Sequence, residues 1–133
     1  MNVKKFFIAS LAVFIAFQIM DMIIHGAILG PTYQLLSNLW RPDMMDKMWI
    51  MHLTSAILSF LFVYIFARGY EGKGLCEGLR YGFLIGILMN VVGAFNQHAI
   101  YPVPLSLSIQ WFIYGVIEFM VCGMVASLIY KTE

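Results

Sequence analysis

The sequence predicts an all-α fold: a polytopic membrane four-helix bundle with a short interfacial helix between the first and second spans. Three observations predict it. The 133 residues are 62% hydrophobic and only 11% charged, with a mean hydropathy of +0.85, whereas a soluble domain carries about 25% charged residues. Four apolar runs follow one another, roughly 5–29, 47–67, 79–99 and 104–130, each near the about 20 residues that cross a bilayer. A span in lipid must satisfy its backbone internally, so each run is expected to be a helix. The four fit a single domain over residues 1–133, with no room for a second.

Taken in order, the first run opens with Met1-Asn2-Val3-Lys4-Lys5 and mimics a secretory signal. Its apolar stretch continues to Leu29, past the about 7–15 residues of a signal core, and no small-x-small site ends it. It is therefore expected to stay as the first span. In residues 30–46, Pro31 can start a short helix that places Tyr33, Leu36 and Trp40 on one face, as suits a helix lying on the bilayer. Pro42 is expected to restart the chain at the first turn of the second span, with Asp43 and Asp46 near its positive end. Arg68 to Gly74 read as a short polar turn, and Tyr101 to Pro104 as a tight uncharged one.

Orientation follows from the basic residues. Lys4, Lys5, Arg68, Lys73, Arg80 and Lys131 fall on one side, and only Arg41 and Lys47 on the other. The positive-inside rule then places both termini in the cytoplasm, in a multi-pass protein of the cell (inner) membrane. Trp40, Trp49, Tyr101 and Trp111 form an aromatic belt at the outer interface. The net charge of +1 offers no basic stripe to neutralise phosphates, which argues against nucleic acid as a partner. Beyond the lipid bilayer, the expected partners are further copies of the chain or a larger membrane complex. Two isolated thiols, Cys76 and Cys122, make no disulfide framework.

Asp21 and His25 stand one helical turn apart inside the first span. Such residues are costly in lipid, about 2.5–3.5 kcal/mol per charge on insertion scales, and are pointers to function. Gln18, Asp21 and His25 form one stripe. The second span carries His52, Ser55 and Ser59 on one face, and the fourth carries Glu118, Cys122 and Ala126. Gly78, Gly82, Gly86 and Asn90 recur every four residues in the third, a ladder that lets helices approach closely. At about 1.5 Å rise per residue, His25 and His52 lie near the outer boundary, Asp21 and Asn90 a turn or two deeper, and Glu118 near the midplane. Asp21, His25, His52, Asn90 and Glu118 are thus the expected lining of one polar ligand pocket in the outer half.

Three occupants or roles suit that pocket. His25 and His52 could hold a haem iron axially, or a transition-metal ion with Asp21 as a further ligand. Glu118, with Asp21 and His25 above it, could form a proton relay in a small transporter acting as an oligomer. A non-catalytic accessory subunit would use the same groups only to fix helix register. For each group the plainer alternative is a satisfied structural hydrogen bond. Catalysis has little support, because no serine–histidine–aspartate order, phosphate loop or paired-cysteine motif occurs.

Leu39-Trp40-Arg41-Pro42, followed by Lys47-Met48-Trp49, resembles a family of uncharacterised small four-span bacterial membrane proteins. The resemblance covers the first hairpin best. It implies the four-span topology, implies no activity, and carries no functional residue over.

Overall fold

The computed structural model describes residues 1–131. Asn2 starts the first helix. Its side-chain oxygen accepts from the Lys5 amide at 3.0 Å, satisfying one of the free donors of a helix start. Helix α1 then runs Val3–Asp21 and passes directly into a π-helical segment, Met22–Ile28. Leu29 N there bonds Ile24 O at 2.8 Å, a five-residue step. Pro31 shows why the segment stops: it has no N–H to give and its ring crowds the preceding turn. The chain restarts as α2, Gly30–Leu35, with Pro31 in its first turn.

Short 3₁₀ turns at Ser37–Leu39 and Met45–Lys47 lead into α3, Met48–Arg68. Helices α4, Leu75–Ile100, and α5, Leu105–Ile129, complete the chain. Four helical stretches are long and apolar enough to cross a membrane: Val3–Ile28, Met45–Arg68, Leu75–Ile100 and Leu105–Ile129. The all-α bundle is as expected, with two shifted boundaries. The second span starts at Met45 rather than Pro42, because Asp43 is engaged by Arg41 at 3.0 Å and by Lys47 at 3.7 Å instead of capping the helix. The Arg41 hydrogen bond, first, holds the Asp43 carboxyl below its usual range. The third helix starts four residues before the apolar run. Glu77, buried at 6% exposure, accepts from the amides of Glu71 at 2.6 Å and Lys73 at 2.7 Å. Gly72 and Gly74 supply the left-handed backbone, φ +75° and +74°, that this loop needs.

Helices α4 and α5 lie closest together, and α1 packs against both α3 and α5. The glycine ladder explains the first contact. A Cβ on Gly78 would strike the Gly123 carbonyl, and one on Gly82 would lie 2.7 Å from Met120 Cα. Between membrane helices such close packing substitutes for the missing hydrophobic drive. Phe17, Phe62 and Phe119 form the centre, with ring centroids 5.1–6.0 Å apart, edge to face.

The two ends of the bundle differ. At the terminal end the Asn2 amide donates to the Tyr130 hydroxyl at 3.1 Å, and Lys5 Nζ donates to the Lys131 carbonyl. The α3–α4 loop lies at this end too, where Tyr70 packs on Tyr130. At the distal end α2 and its 3₁₀ turn fold over the bundle. Tyr33, Leu36 and Trp40 pack against a buried cluster of Ile24, Leu29, Val103 and Leu107. The aromatic face of the short helix is therefore turned onto the protein. The α3 and α4 backbones stand further apart than the other neighbours. Tyr81 bridges them by donating to the Phe62 carbonyl at 2.5 Å, and grooves remain above and below that bridge.

Candidate functional site

The distal groove is a cavity of about 420 Å³. Asp21 and Phe17 reach it from α1, Glu118 and Phe119 from α5, and Met89 from α4. Met51, Thr54, Ser55 and Leu58 of α3 form the facing wall. Two carboxyl groups from different helices thus share one largely apolar groove. Glu118 is only 7% exposed. Among the described residues, its Oε1 has no hydrogen-bond partner. A buried polar atom left free in this way is rare and marks a place where something else can bind.

Asp21 is the last α-helical residue before the π segment. Such widened turns recur at functional sites because they redirect the side chains beside them. Here the turn separates Asp21, which faces the cavity, from His25, which faces the distal end. His25 Nε2 still lies 3.9 Å from Asp21 Oδ1. On its other side His25 Nδ1 meets the Tyr33 hydroxyl at 2.6 Å, and the two rings stack at an interplanar angle of 13°. Trp111 Nε1 donates to the same hydroxyl at 2.7 Å.

The direction of the first bond in this chain follows from its chemistry. An indole N–H can only donate, so the Tyr33 oxygen accepts from Trp111. The hydroxyl keeps one proton to give and a second lone pair to accept with, so His25 Nδ1 either accepts that proton, with its own proton on Nε2 facing Asp21, or donates to the oxygen. Burial, first, pushes the Tyr33 phenol above its ordinary range, partly offset by the Trp111 hydrogen bond, so Tyr33 keeps its proton at neutral pH. Hydrogen bonds thus link Trp111, Tyr33 and His25, and His25 Nε2 stands 3.9 Å from Asp21 Oδ1.

The remaining expected residues go elsewhere. His52 Nδ1 lies 3.0 Å from Gln18 Oε1, and Gln18 Nε2 donates to Ser55 Oγ at 3.2 Å. An amide oxygen only accepts, so His52 donates from Nδ1. Asn90 points away from the cavity. Its Nδ2 donates to the Gly86 carbonyl at 2.8 Å, and a Cβ on Gly115 would fall 2.8 Å from that nitrogen. Asn90 thus fills the notch that Gly115 leaves in the α4–α5 contact. Of the five expected pocket residues, the cavity brings together Asp21 and Glu118. His25 touches it only through Asp21, while His52 and Asn90 do not line it.

The expected metal set of Asp21, His25 and His52 is not assembled. Among the described residues no three His, Cys, Asp or Glu side chains converge as a metal site. The reason is that each histidine is held by its own partner: His25 by Tyr33, and His52 by Gln18.

Tyr33 was the residue hardest to place from sequence. It lies eight positions from His25, and only the fold-back at Pro31 brings them together. Thr54 is another addition to the site. It sits between His52 and Ser55 in the sequence, one residue before the Ser55 that lines the same wall.

Fold and site define a small four-span α-helical membrane protein with a carboxylate-lined cavity between its helices. No family model, curated protein or solved structure matches the chain.

Proposed function

We propose that the protein binds a small organic cation in the distal cavity and exchanges it for a proton carried by the Asp21–Glu118 pair. The observation that carries this reading is the convergence of these two carboxyls, from α1 and α5, on one chamber of about 420 Å³. That volume is in the range of sites for drug-sized molecules, about 300–1,000 Å³. The rest of the lining suits an apolar body bearing one positive charge. Phe17 and Phe119 bring aromatic rings to the lining, and Met51 and Met89 offer adaptable apolar contact. Thr54 and Ser55 add hydroxyls.

Charge balance supports exchange. The pair has the same net charge with one proton bound as with one monovalent cation bound, so the two compete for it. His25, with Nε2 facing Asp21 and Nδ1 bonded to Tyr33, supplies a proton route to the distal end. Movement across a membrane by so small a chain would require assembly with further copies, and the arrangement is then that of a proton-linked exchanger.

The test is calorimetric titration of purified protein with tetraphenylphosphonium in weakly buffered solution, following proton release at the same time. Saturable binding with release of a proton is expected. Glu118→Gln should weaken binding at least about tenfold, equivalent to about 1.4 kcal/mol, and remove the release. Equal affinity in the native protein and in Glu118→Gln would overturn the reading.

A further inference from the structure

A second groove lies at the terminal end, below the Tyr81 bridge, and it differs in chemistry from the distal cavity. It measures about 230 Å³ and runs between α3 and α4. Ile65, Phe66 and Leu84 make its apolar walls, and Gly69 leaves its mouth open where α3 ends. At that mouth Arg80 and Lys73 converge on one carboxylate. Arg80 Nη2 is 3.6 Å from Glu71 Oε2, and Lys73 Nζ pairs with the same oxygen.

Among the described residues, charge at the mouth is unevenly met. Glu77 also lines the groove, but its carboxylate accepts from the Glu71 and Lys73 amides. Glu71 is left to face two cations. A guanidinium has five N–H donors, and among the described residues Arg80 meets only the 3.6 Å approach to Glu71. Both cationic side chains are well exposed, 59% for Arg80 and 61% for Lys73.

We propose that this groove binds one anionic phospholipid, with an acyl chain along Ile65, Phe66 and Leu84 and the phosphate on Arg80 and Lys73. The occupant is set by charge complementarity combined with depth. The apolar walls belong to the spanning part of α3 and α4, Lys73 stands in the loop before the third span, and Arg80 is in that span's second turn. An apolar chain joined to an anionic head matches both halves, and basic pockets between spans are recognised lipid sites. The forked Arg80 side chain suits a phosphate better than a point charge would. This site is independent of the distal cavity, and neither reading depends on the other.

The experiment is native mass spectrometry of detergent-solubilised protein, titrated in parallel with phosphatidylglycerol and phosphatidylcholine of the same chains. One uncompensated positive charge predicts about a fivefold preference for phosphatidylglycerol. The double variant Arg80→Gln/Lys73→Gln should bring that ratio to about one. Leu84→Trp, which fills the groove from its exposed side and leaves the charges intact, should reduce retention of both lipids. A ratio near one in the native protein overturns the proposal. So does an unchanged preference in the double variant, or unchanged retention in Leu84→Trp.

Discussion

Replacing Gly82 with alanine tests how the candidate site is held in place. The new Cβ would lie against the Phe119 carbonyl and 2.7 Å from Met120 Cα, whereas ordinary contact begins near 3.4 Å. Helix α4 must therefore retreat from α5 by about 0.7 Å at that atom, with more needed at the carbonyl. Both obstructing atoms are backbone, so no rotamer change relieves them. The cost belongs at the upper end of overpacking, about 3 kcal/mol. Alanine recovers about 1 kcal/mol of helix propensity, leaving a net loss of about 2 kcal/mol.

Gly93 on the same helix is the control. A Cβ there meets nothing within 4 Å, so Gly93→Ala should gain up to about 1 kcal/mol. The two variants should thus differ by about 3 kcal/mol by the same reasoning. Reversible unfolding of purified protein by increasing mole fractions of SDS, followed by far-ultraviolet circular dichroism, measures this difference. Equal midpoints for Gly82→Ala and Gly93→Ala would refute the argument that close backbone contact, rather than glycine content, joins α4 to α5. The test bears on the site as well, because the obstructed residue Phe119 lines the cavity beside Glu118.

Three further outcomes are expected. Glu77→Ala leaves the buried-side amides of Glu71 and Lys73 without their acceptor; a loss of about 3 kcal/mol and faster hydrogen exchange at those two amides should follow, and unchanged exchange would count against the staple. Tyr33 should ionise later than an ordinary tyrosine in an ultraviolet titration, since burial raises its pKa. Because the fold favours the neutral phenol, its stabilising contribution is complete below about pH 10 and is lost as pH rises through the raised value; Tyr33→Phe should remove that alkaline step, and a normal titration would contradict the burial of the phenol. His25→Gln should slow ligand-linked proton release in stopped-flow measurements while changing tetraphenylphosphonium affinity less than Glu118→Gln does; equal effects on affinity would place His25 in the binding site itself.

Much of the fold was legible because lipid imposes strong rules on a chain. A run of apolar residues must be a helix, and its length reports a crossing. The same rules found Asp21 and Glu118, since a carboxyl in such a run is conspicuous. They also found the glycine ladder, which the α4–α5 contact uses at Gly78, Gly82 and Gly86. The apolar run begins at residue 79, four residues after α4 does, because Glu77 looks like a loop residue by hydropathy. Glu77 is instead a helical residue whose charge is absorbed by loop amides.

The sequence by itself determined four helices, one short helix between the first two, and the approximate depth of every polar residue. Periodicity and bilayer thickness suffice for that. Only the tertiary structure decided which polar residues meet. Depth put His25, His52 and Asn90 within a turn or two of Asp21, yet a π-helical turn, a glutamine and a glycine notch each drew one of them aside. Depth is a one-dimensional property that each helix carries alone. A shared cavity depends on how the helices rotate against each other, and that is fixed by close contacts between residues far apart in the chain.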